Sequence, residues 1–165
     1  MRYISLVTHG KKLEGPNPGL SPIGKFQTEQ LKPHLPKKPK VIACGTGKRH
    51  LDTAQALGLT PTRYSIVIGA PESKNRAKNT VTLADGTEIE YELYTSVADR
   101  TDAFVHLVTM LPAGAVVITS RSMVKSIMPF GDSKASAVYR YEPDTKRITE
   151  VFAASDDIGE GTMEV

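Results

Sequence analysis

Three short apolar runs constrain the fold most, because each ends abruptly in a polar turn rich in glycine, serine or threonine. The runs span residues 3–7, 41–44 and 115–119, and the turns are Thr8-His9-Gly10, Gly45-Thr46-Gly47 and Ser120-Arg121-Ser122. Near-continuous apolar runs of this length are typical of strands buried on both faces. Helical segments lie between them. The chain is therefore predicted to be an α/β fold, a mostly parallel sheet with helices on both faces.

The remaining elements follow from capping residues and turn signals. Ser21-Pro22 begins a helix, since serine caps well and proline suits the first helical position. Further helices are predicted over 48–57, with Leu51 on the inner face and Gly58 as its C-cap, and over 97–111 and 123–128. A third strand is predicted over 64–68. Added hairpins turn at Asp85-Gly86 and at Glu142-Pro143-Asp144.

Composition indicates one cytoplasmic domain over residues 1–165. Hydrophobic residues make up 39% and charged residues 24%, which does not fit a disordered chain. No apolar run approaches the roughly 18 to 20 residues of a membrane span, and no signal peptide is expected. The single cysteine gives no disulfide framework and no thiolate zinc site. Metal-ligand spacings and the phosphate-binding loops of nucleotide enzymes are missing, so we expect no metal and no cofactor.

Net positive charge is concentrated in the first part of the chain. Residues 1–50 hold 10 lysines and arginines against 2 acidic residues, although the net charge of the whole chain is only +3. A basic segment attracts anions. Its only aromatic residues are Tyr3 and Phe26, too few for the stacking surfaces of single-strand binders, so a nucleic-acid partner is the weakest alternative.

The three strand ends carry side chains suited to a phosphoryl anion. In open α/β sheets, ligands bind outside the carboxyl ends of the strands. A neutral imidazole at His9 can attack phosphorus. Arg49 lies in the first turn of a predicted helix, and its planar guanidinium matches two phosphate oxygens. Arg121 supplies a second guanidinium. Taken alone, a residue such as His9 is more often a surface or structural residue, and one such as Arg49 a surface cation. Together with Arg121 they predict an anion site.

These segments resemble the histidine phosphatase superfamily, which has a phosphoglycerate mutase-like fold. The resemblance follows the family's order: Leu6-Val7-Thr8-His9-Gly10 for its Arg-His-Gly motif, residues 20–27 (LSPIGKFQ) for its first helix start, residues 45–54 (GTGKRHLDTA) for its Ser-Pro-x-x-Arg-x-x-x-Thr-Ala segment, and residues 116–122 (VVITSRS) for its late strand ending in Ser/Thr-His-Gly. The matches run from residue 3 to about residue 128.

The resemblance implies a role for each matched residue. His9 would be the nucleophile that forms a phosphohistidine, which water then resolves, and Arg49 would bind the phosphoryl oxygens. Glu72, in the region after the third strand, is the candidate proton donor by position, although it also fits a plain surface acid. The remaining phosphate contacts are assigned to Thr8, Gly10, Ser120 and Arg121.

Two departures from the family pattern leave the function open. Thr8 stands where the family has arginine, and Arg121 (or Ser120, if the alignment slips by one) stands where it has a second histidine. Losing one preorganised donor typically costs about 10²–10³-fold in rate. The chain is therefore either a phosphohydrolase with reduced turnover or a catalytically inactive domain that binds phosphate. Its partner would be a phosphorylated small molecule or a phosphoprotein.

Overall fold

The computed structural model describes residues 2–15, 17–70 and 97–154, together with two short strands at residues 80–82 and 88–90. Two predictions lie outside these residues, namely Glu72 as the proton donor and the hairpin turn at Asp85-Gly86. In the described part of the chain, no helix is both long enough and apolar enough to cross a membrane.

The described residues form eight strands and four α-helices. In chain order they are β1 (Ile4–Thr8), α1 (Pro22–Glu29), β2 (Ile42–Cys44), α2 (Lys48–Ala56), β3 (Arg63–Tyr64), β4 (Thr80–Thr82), β5 (Glu88–Glu90), α3 (Val97–Thr109), β6 (Val116–Thr119), α4 (Arg121–Ile127), β7 (Ala137–Glu142) and β8 (Arg147–Ala153). A 3-10 turn at Lys32–His34 follows α1. The predicted α/β class is confirmed.

The main sheet has six strands in the order β3-β2-β6-β1-β7-β8. Its first four strands are parallel, and β7 and β8 add an antiparallel edge. The hairpin predicted at Glu142-Pro143-Asp144 forms this edge. The strands of the other predicted hairpin, β4 and β5, pair antiparallel in a separate sheet. The sheet is therefore mostly parallel with added hairpins, as predicted.

The register of the central strands brings three polar turns to one edge. Thr8 pairs with Thr119 between β1 and β6, and Cys44 pairs with Ile118 between β2 and β6. All three strands run in the same direction, so their carboxyl ends stop at nearly the same level. The segments that begin at His9, Gly45 and Ser120 consequently leave the sheet side by side.

Helices cover both faces of the sheet, because successive strand residues point to opposite sides. One core cluster packs α3 and α4 on the sheet and includes Leu6, Ala43, Phe104, Val108, Val117, Met123 and Val124. The other packs α2 and the segment after α1 on the sheet and includes Val7, Leu31, Cys44, Ala54, Leu57 and Ile118. Each cluster removes apolar surface from water, which is the main force that holds the layers together.

Local signals explain where α1 begins and where α2 ends. Ser21 caps α1, and its side chain accepts a hydrogen bond from the Gly24 amide at 3.0 Å. Gly58 follows α2 with a φ of 71°, the left-handed conformation in which glycine commonly ends a helix. A Cβ on Gly24 would lie within 3 Å of the Lys11 backbone. Glycine at that position lets the chain after His9 pack closely on α1.

Two sequence predictions about this region are wrong. The third strand is only Arg63–Tyr64, and the chain turns over residues 66–68 instead of continuing as a strand. Ile68 is buried all the same, so the apolar pattern reported burial and not strand structure. Leu51 was expected on the inner face of α2 but is 40% exposed. The inner positions of that turn are taken by His50 and Ala54 instead.

Cys44 gives a prediction about chemical reactivity. Its side chain is fully buried at the end of β2, and burial raises the pKa of its thiol to about 12. Because the thiolate is the reactive form, the native protein is expected to resist iodoacetamide at pH 8. The same reagent should label Cys44 fully in 6 M guanidinium. Mass spectrometry of intact protein measures both outcomes, and rapid labelling of the native protein would contradict the burial.

Candidate active site

The polar turns at the sheet edge enclose one side of a cavity of about 380 Å³. The described residues that line it are His9, Arg49, Ser120, Arg121, Ser122, Lys125, Asp132 and Ser133. Four of these residues were predicted as site residues, and they come from three different strand ends. Among the described residues, three cationic side chains and one carboxylate face the same space, so this part of the cavity is suited to an anion.

His9 follows β1, and one of its ring nitrogens contacts the backbone. Its Nδ1 lies 2.9 Å from the carbonyl oxygen of Gly10. A carbonyl only accepts hydrogen bonds, so Nδ1 carries the proton and donates it. In the neutral ring the lone pair then belongs to Nε2. The backbone is held as well, since the Ser136 amide donates to the His9 carbonyl at 3.0 Å.

Arg49 lies in the first turn of α2, and its side chain forms part of the cavity wall. The residue is only 7% exposed. Gly47 caps the helix, and the Thr53 hydroxyl donates to the Arg49 carbonyl at 2.7 Å, which ties the first turn to the second. A buried guanidinium is weakly hydrated, so it interacts strongly with an anion that enters the cavity.

Arg121 is the first residue of α4, and the loop before β7 holds its side chain. Its Nε donates to the Ser133 carbonyl at 2.7 Å, and a terminal nitrogen lies 3.3 Å from the Asp132 carboxylate. The Ser133 hydroxyl donates back to the Arg121 carbonyl at 2.5 Å. The second predicted guanidinium is therefore at the cavity, with one side engaged by the protein itself.

Asp132 is a carboxylate that lies close to two of the cationic side chains of the cavity. It lies 3.7 Å from the ammonium of Lys125 as well as near Arg121, and it accepts a hydrogen bond from the Ser133 amide. Partial desolvation acts to raise the pKa of Asp132, but the amide bond and the charges of Lys125 and Arg121 outweigh it and hold that pKa below its usual range. Asp132 is thus ionised at neutral pH. It occupies the donor groups of Arg121 and Lys125, which a phosphate oxygen would otherwise contact.

Two serines complete the end of β6. The Ser120 side chain caps α4 by accepting from the Met123 amide at 3.3 Å. Its oxygen also lies 3.1 Å from the Ser122 hydroxyl oxygen. Serine fits here because its short side chain reaches back to the helix while the turn stays open to the cavity.

Thr8 and Gly10 were predicted to contact phosphate, and neither lines the cavity. The Thr8 hydroxyl is buried, donates to the Lys134 carbonyl at 2.8 Å and accepts from the Ala137 amide at 2.9 Å. It therefore joins β1 to the start of β7. Gly10 packs on α1, where a Cβ would lie 2.6 Å from the Gly24 carbonyl oxygen. Glu72, the predicted proton donor, lies outside the described residues.

Five residues of this region were not among the predicted site residues, and Ser122, which follows Arg121, is one of them. Lys125 stands four residues after Arg121 on the same helix face, a spacing that could have revealed it. Asp132 and Ser133 come from a loop whose path depends on tertiary contacts, so no local pattern marks them. His50 lies behind His9, with ring centroids 5.7 Å apart. Among the described residues, no three His, Cys, Asp or Glu side chains are grouped to hold a metal ion.

Comparison with known proteins defines the fold. No protein-family model matches the chain, and no curated protein matches it in sequence. Solved structures do match. The protein TTHB049 from Thermus thermophilus aligns with a TM-score of 0.64 and 19% identity over 92% of this chain and 99% of its own.

Two further structures agree with that match. A phosphoglycerate mutase from Thermus thermophilus aligns with a TM-score of 0.62 and 19% identity over 94% of this chain and 99% of its own. The open reading frame Rv3214 from Mycobacterium tuberculosis aligns with a TM-score of 0.58 and 18% identity over 93% of this chain and 97% of its own. The chain therefore has a phosphoglycerate mutase-like fold. The resemblance found in the sequence is confirmed at the level of fold.

Proposed function

We propose that the protein is a phosphohydrolase that transfers a phosphoryl group to His9 and then to water. The observation that carries the proposal is the convergence of His9, Arg49 and Arg121 on one cavity from the ends of three adjacent parallel strands. A nucleophile with a defined tautomer and two guanidinium groups is the minimum that histidine-based phosphoryl transfer needs. The proposed mechanism needs no metal and no cofactor.

The first step forms a phosphohistidine. The lone pair on Nε2 attacks phosphorus, the bond to the leaving-group oxygen breaks, and that oxygen keeps the electron pair and takes up a proton. The Gly10 carbonyl holds the proton on Nδ1 throughout and stabilises the positive charge that develops on the ring. Arg49 and Arg121 bind the equatorial phosphoryl oxygens, where negative charge is concentrated. Glu72 remains our candidate for the proton donor.

The second step regenerates the enzyme. A water molecule attacks the phosphorus of the phosphohistidine, the bond between phosphorus and nitrogen breaks, and Nε2 recovers its lone pair. The water loses a proton to a base or to solvent, and inorganic phosphate leaves. The open cavity admits water and accepts either a phosphorylated small molecule or a phosphorylated protein side chain.

We assign the protein to the cytoplasm, since its single cysteine is a buried thiol.

A second candidate function is phosphate binding without turnover. The contacts of Arg121 favour it, because Ser133 and Asp132 already hold one side of that guanidinium and no histidine follows β6. In this case phosphate raises the melting temperature through Arg49. No phosphohistidine forms. Trapping of phosphohistidine in wild type and in His9→Ala separates the two functions.

Asp132 provides a prediction that applies to both functions. Replacing it by asparagine removes a negative charge that repels phosphate and competes for Arg121 and Lys125. The variant Asp132→Asn is expected to bind inorganic phosphate about fivefold more tightly at low ionic strength, with the gain shrinking as salt screens the charges. Isothermal titration measures the Kd.

The matched control is Asp144→Asn. Asp144 is also an exposed carboxylate in an ion pair, 3.5 Å from Arg2, and does not line the cavity. It should leave the Kd for phosphate unchanged. Equal or weaker phosphate binding by Asp132→Asn would show that Asp132 does not compete for the anion.

A further inference from the structure

His50 is an imidazole buried directly behind the candidate nucleophile. It follows Arg49 in α2 and is fully buried. Its ring meets the ring of His9 edge to face, with centroids 5.7 Å apart and planes at 81°. His50 does not line the cavity. Its connection to the site therefore runs through the contact with His9.

His50 is a polar side chain in a fully buried position. Neither of its ring nitrogens has a hydrogen-bond partner among the described residues. Burial lowers the pKa of His50 well below its usual range, and the charges of Arg49 and Arg100, with that of His9 when it is protonated, lower it further, so the ring is neutral. A buried polar group without a partner destabilises a fold, and an apolar side chain would avoid that cost. Stability alone does not explain an imidazole here.

Three glycines make room for this ring. A Cβ on Gly45 would lie 2.8 Å from Cγ of His50, and one on Gly47 would lie 2.9 Å from its Nδ1. A Cβ on Gly69 would lie closer still to the ring. Backbone from two separate loops thus packs against the imidazole. The ring cannot shift without displacing that backbone, so it forms a rigid support for whatever it touches.

We propose that His50 is a positioning residue that fixes the ring of His9 for attack on phosphorus. This inference rests on the proposed function. Two of the contacts of the His9 ring restrain its orientation: the Gly10 carbonyl accepts a hydrogen bond from Nδ1, and the His50 ring stands across it at nearly a right angle. Together they oppose rotation of the His9 ring and keep Nε2 as the nucleophilic nitrogen. Attack needs this alignment, because misplacing a reacting atom by about 1 Å can cost about 10²-fold in rate.

The test compares wild type with His50→Ala and His50→Asn, using phosphoramidate, which transfers its phosphoryl group to Nε2 and releases ammonia. Both variants remove the ring, and asparagine also retains a polar group for the case in which alanine does not fold. We expect single-turnover phosphorylation of His9 to slow by about 10-fold to 100-fold. The Kd for inorganic phosphate should stay within about twofold, because Arg49 and Arg121 are unchanged. Val108→Ala, a core truncation on α3, controls for general loosening of the fold.

A second measurement gives the tautomer of the His9 ring without any phosphoryl donor. Two-bond ¹H–¹⁵N NMR spectra show which nitrogen of His9 carries the proton. Wild type and Val108→Ala should show the Nδ1–H tautomer, and the His50 variants a mixture of both tautomers. Wild-type rates and an unchanged His9 spectrum in the variants would overturn the positioning role. Absence of phosphohistidine in wild type would instead overturn the proposed function.

Discussion

The variant His9→Ala is expected to form no phosphohistidine, where wild type incubated with phosphoramidate forms an acid-labile adduct of one phosphoryl group. The reason is chemical, because alanine has no atom that can accept the phosphoryl group, and Arg49 and Arg121 have no nucleophilic lone pair at neutral pH. Hydrolysis of p-nitrophenyl phosphate should fall by at least about 10³-fold. Intact-protein mass spectrometry at neutral and acid pH measures the adduct, and ³¹P NMR identifies the P–N bond.

A matched histidine variant makes this result specific. His34 is an exposed imidazole that stacks on Phe152, with ring centroids 4.0 Å apart, and it does not line the cavity. His34→Ala should therefore keep the adduct and the turnover of wild type. If wild type forms no adduct and shows no activity above His9→Ala, the phosphohydrolase proposal fails and phosphate binding becomes the better account. An adduct that persists in His9→Ala would place the nucleophile elsewhere.

Much of the fold follows from local patterns. The apolar runs before His9, Gly45 and Ser120 predicted β1, β2 and β6, because strands covered on both faces have few polar positions. Capping by Ser21 and the left-handed Gly58 placed a helix start and a helix end. The pattern failed at residues 64–68, where burial of Ile68 came from a turn packed on the sheet. Periodicity records which residues are buried but does not specify the backbone that buries them.

The site divides along the same line. His9, Arg49 and Arg121 could be grouped from the sequence because the ends of parallel strands meet at one edge of a sheet. Strand ends do not show whether Thr8 contacts phosphate, since the direction of a buried hydroxyl depends on which carbonyls surround it. In the structure those partners are the backbone of Lys134 and Ala137, more than a hundred residues away.

Loop-borne residues were the least predictable part of the cavity. Asp132 and Ser133 belong to the segment between α4 and β7, whose position is set by hydrogen bonds to Arg121. His50 was visible in the sequence only as the neighbour of Arg49. Its contact with His9 depends on the register between β1, β6 and β2, together with the three glycines that admit its ring. Such contacts arise from the assembled sheet and have no local signal.

Replacing Arg49 is expected to have the second large effect, on both binding and turnover. Arg49→Met keeps much of the side-chain volume but removes the charge and the hydrogen-bond donors from a residue that is only 7% exposed. The Kd for inorganic phosphate should rise by about 100-fold, and the rate of His9 phosphorylation should fall by about 10²–10³-fold. Arg49→Lys keeps the charge without the planar fork, so we expect an intermediate loss of about 10-fold.

The control for Arg49 must separate this site from general charge attraction. Arg147 is an exposed arginine at the start of β8 and does not line the cavity. Arg147→Met changes the net charge by the same amount as Arg49→Met, so it should leave the Kd for phosphate within about twofold at 0.15 M salt. Isothermal titration gives the Kd for all three variants, and circular dichroism melts verify that each one folds. Equal phosphate affinity in folded Arg49→Met and wild type would remove Arg49 from the anion site, and with it the cation that both proposed functions require.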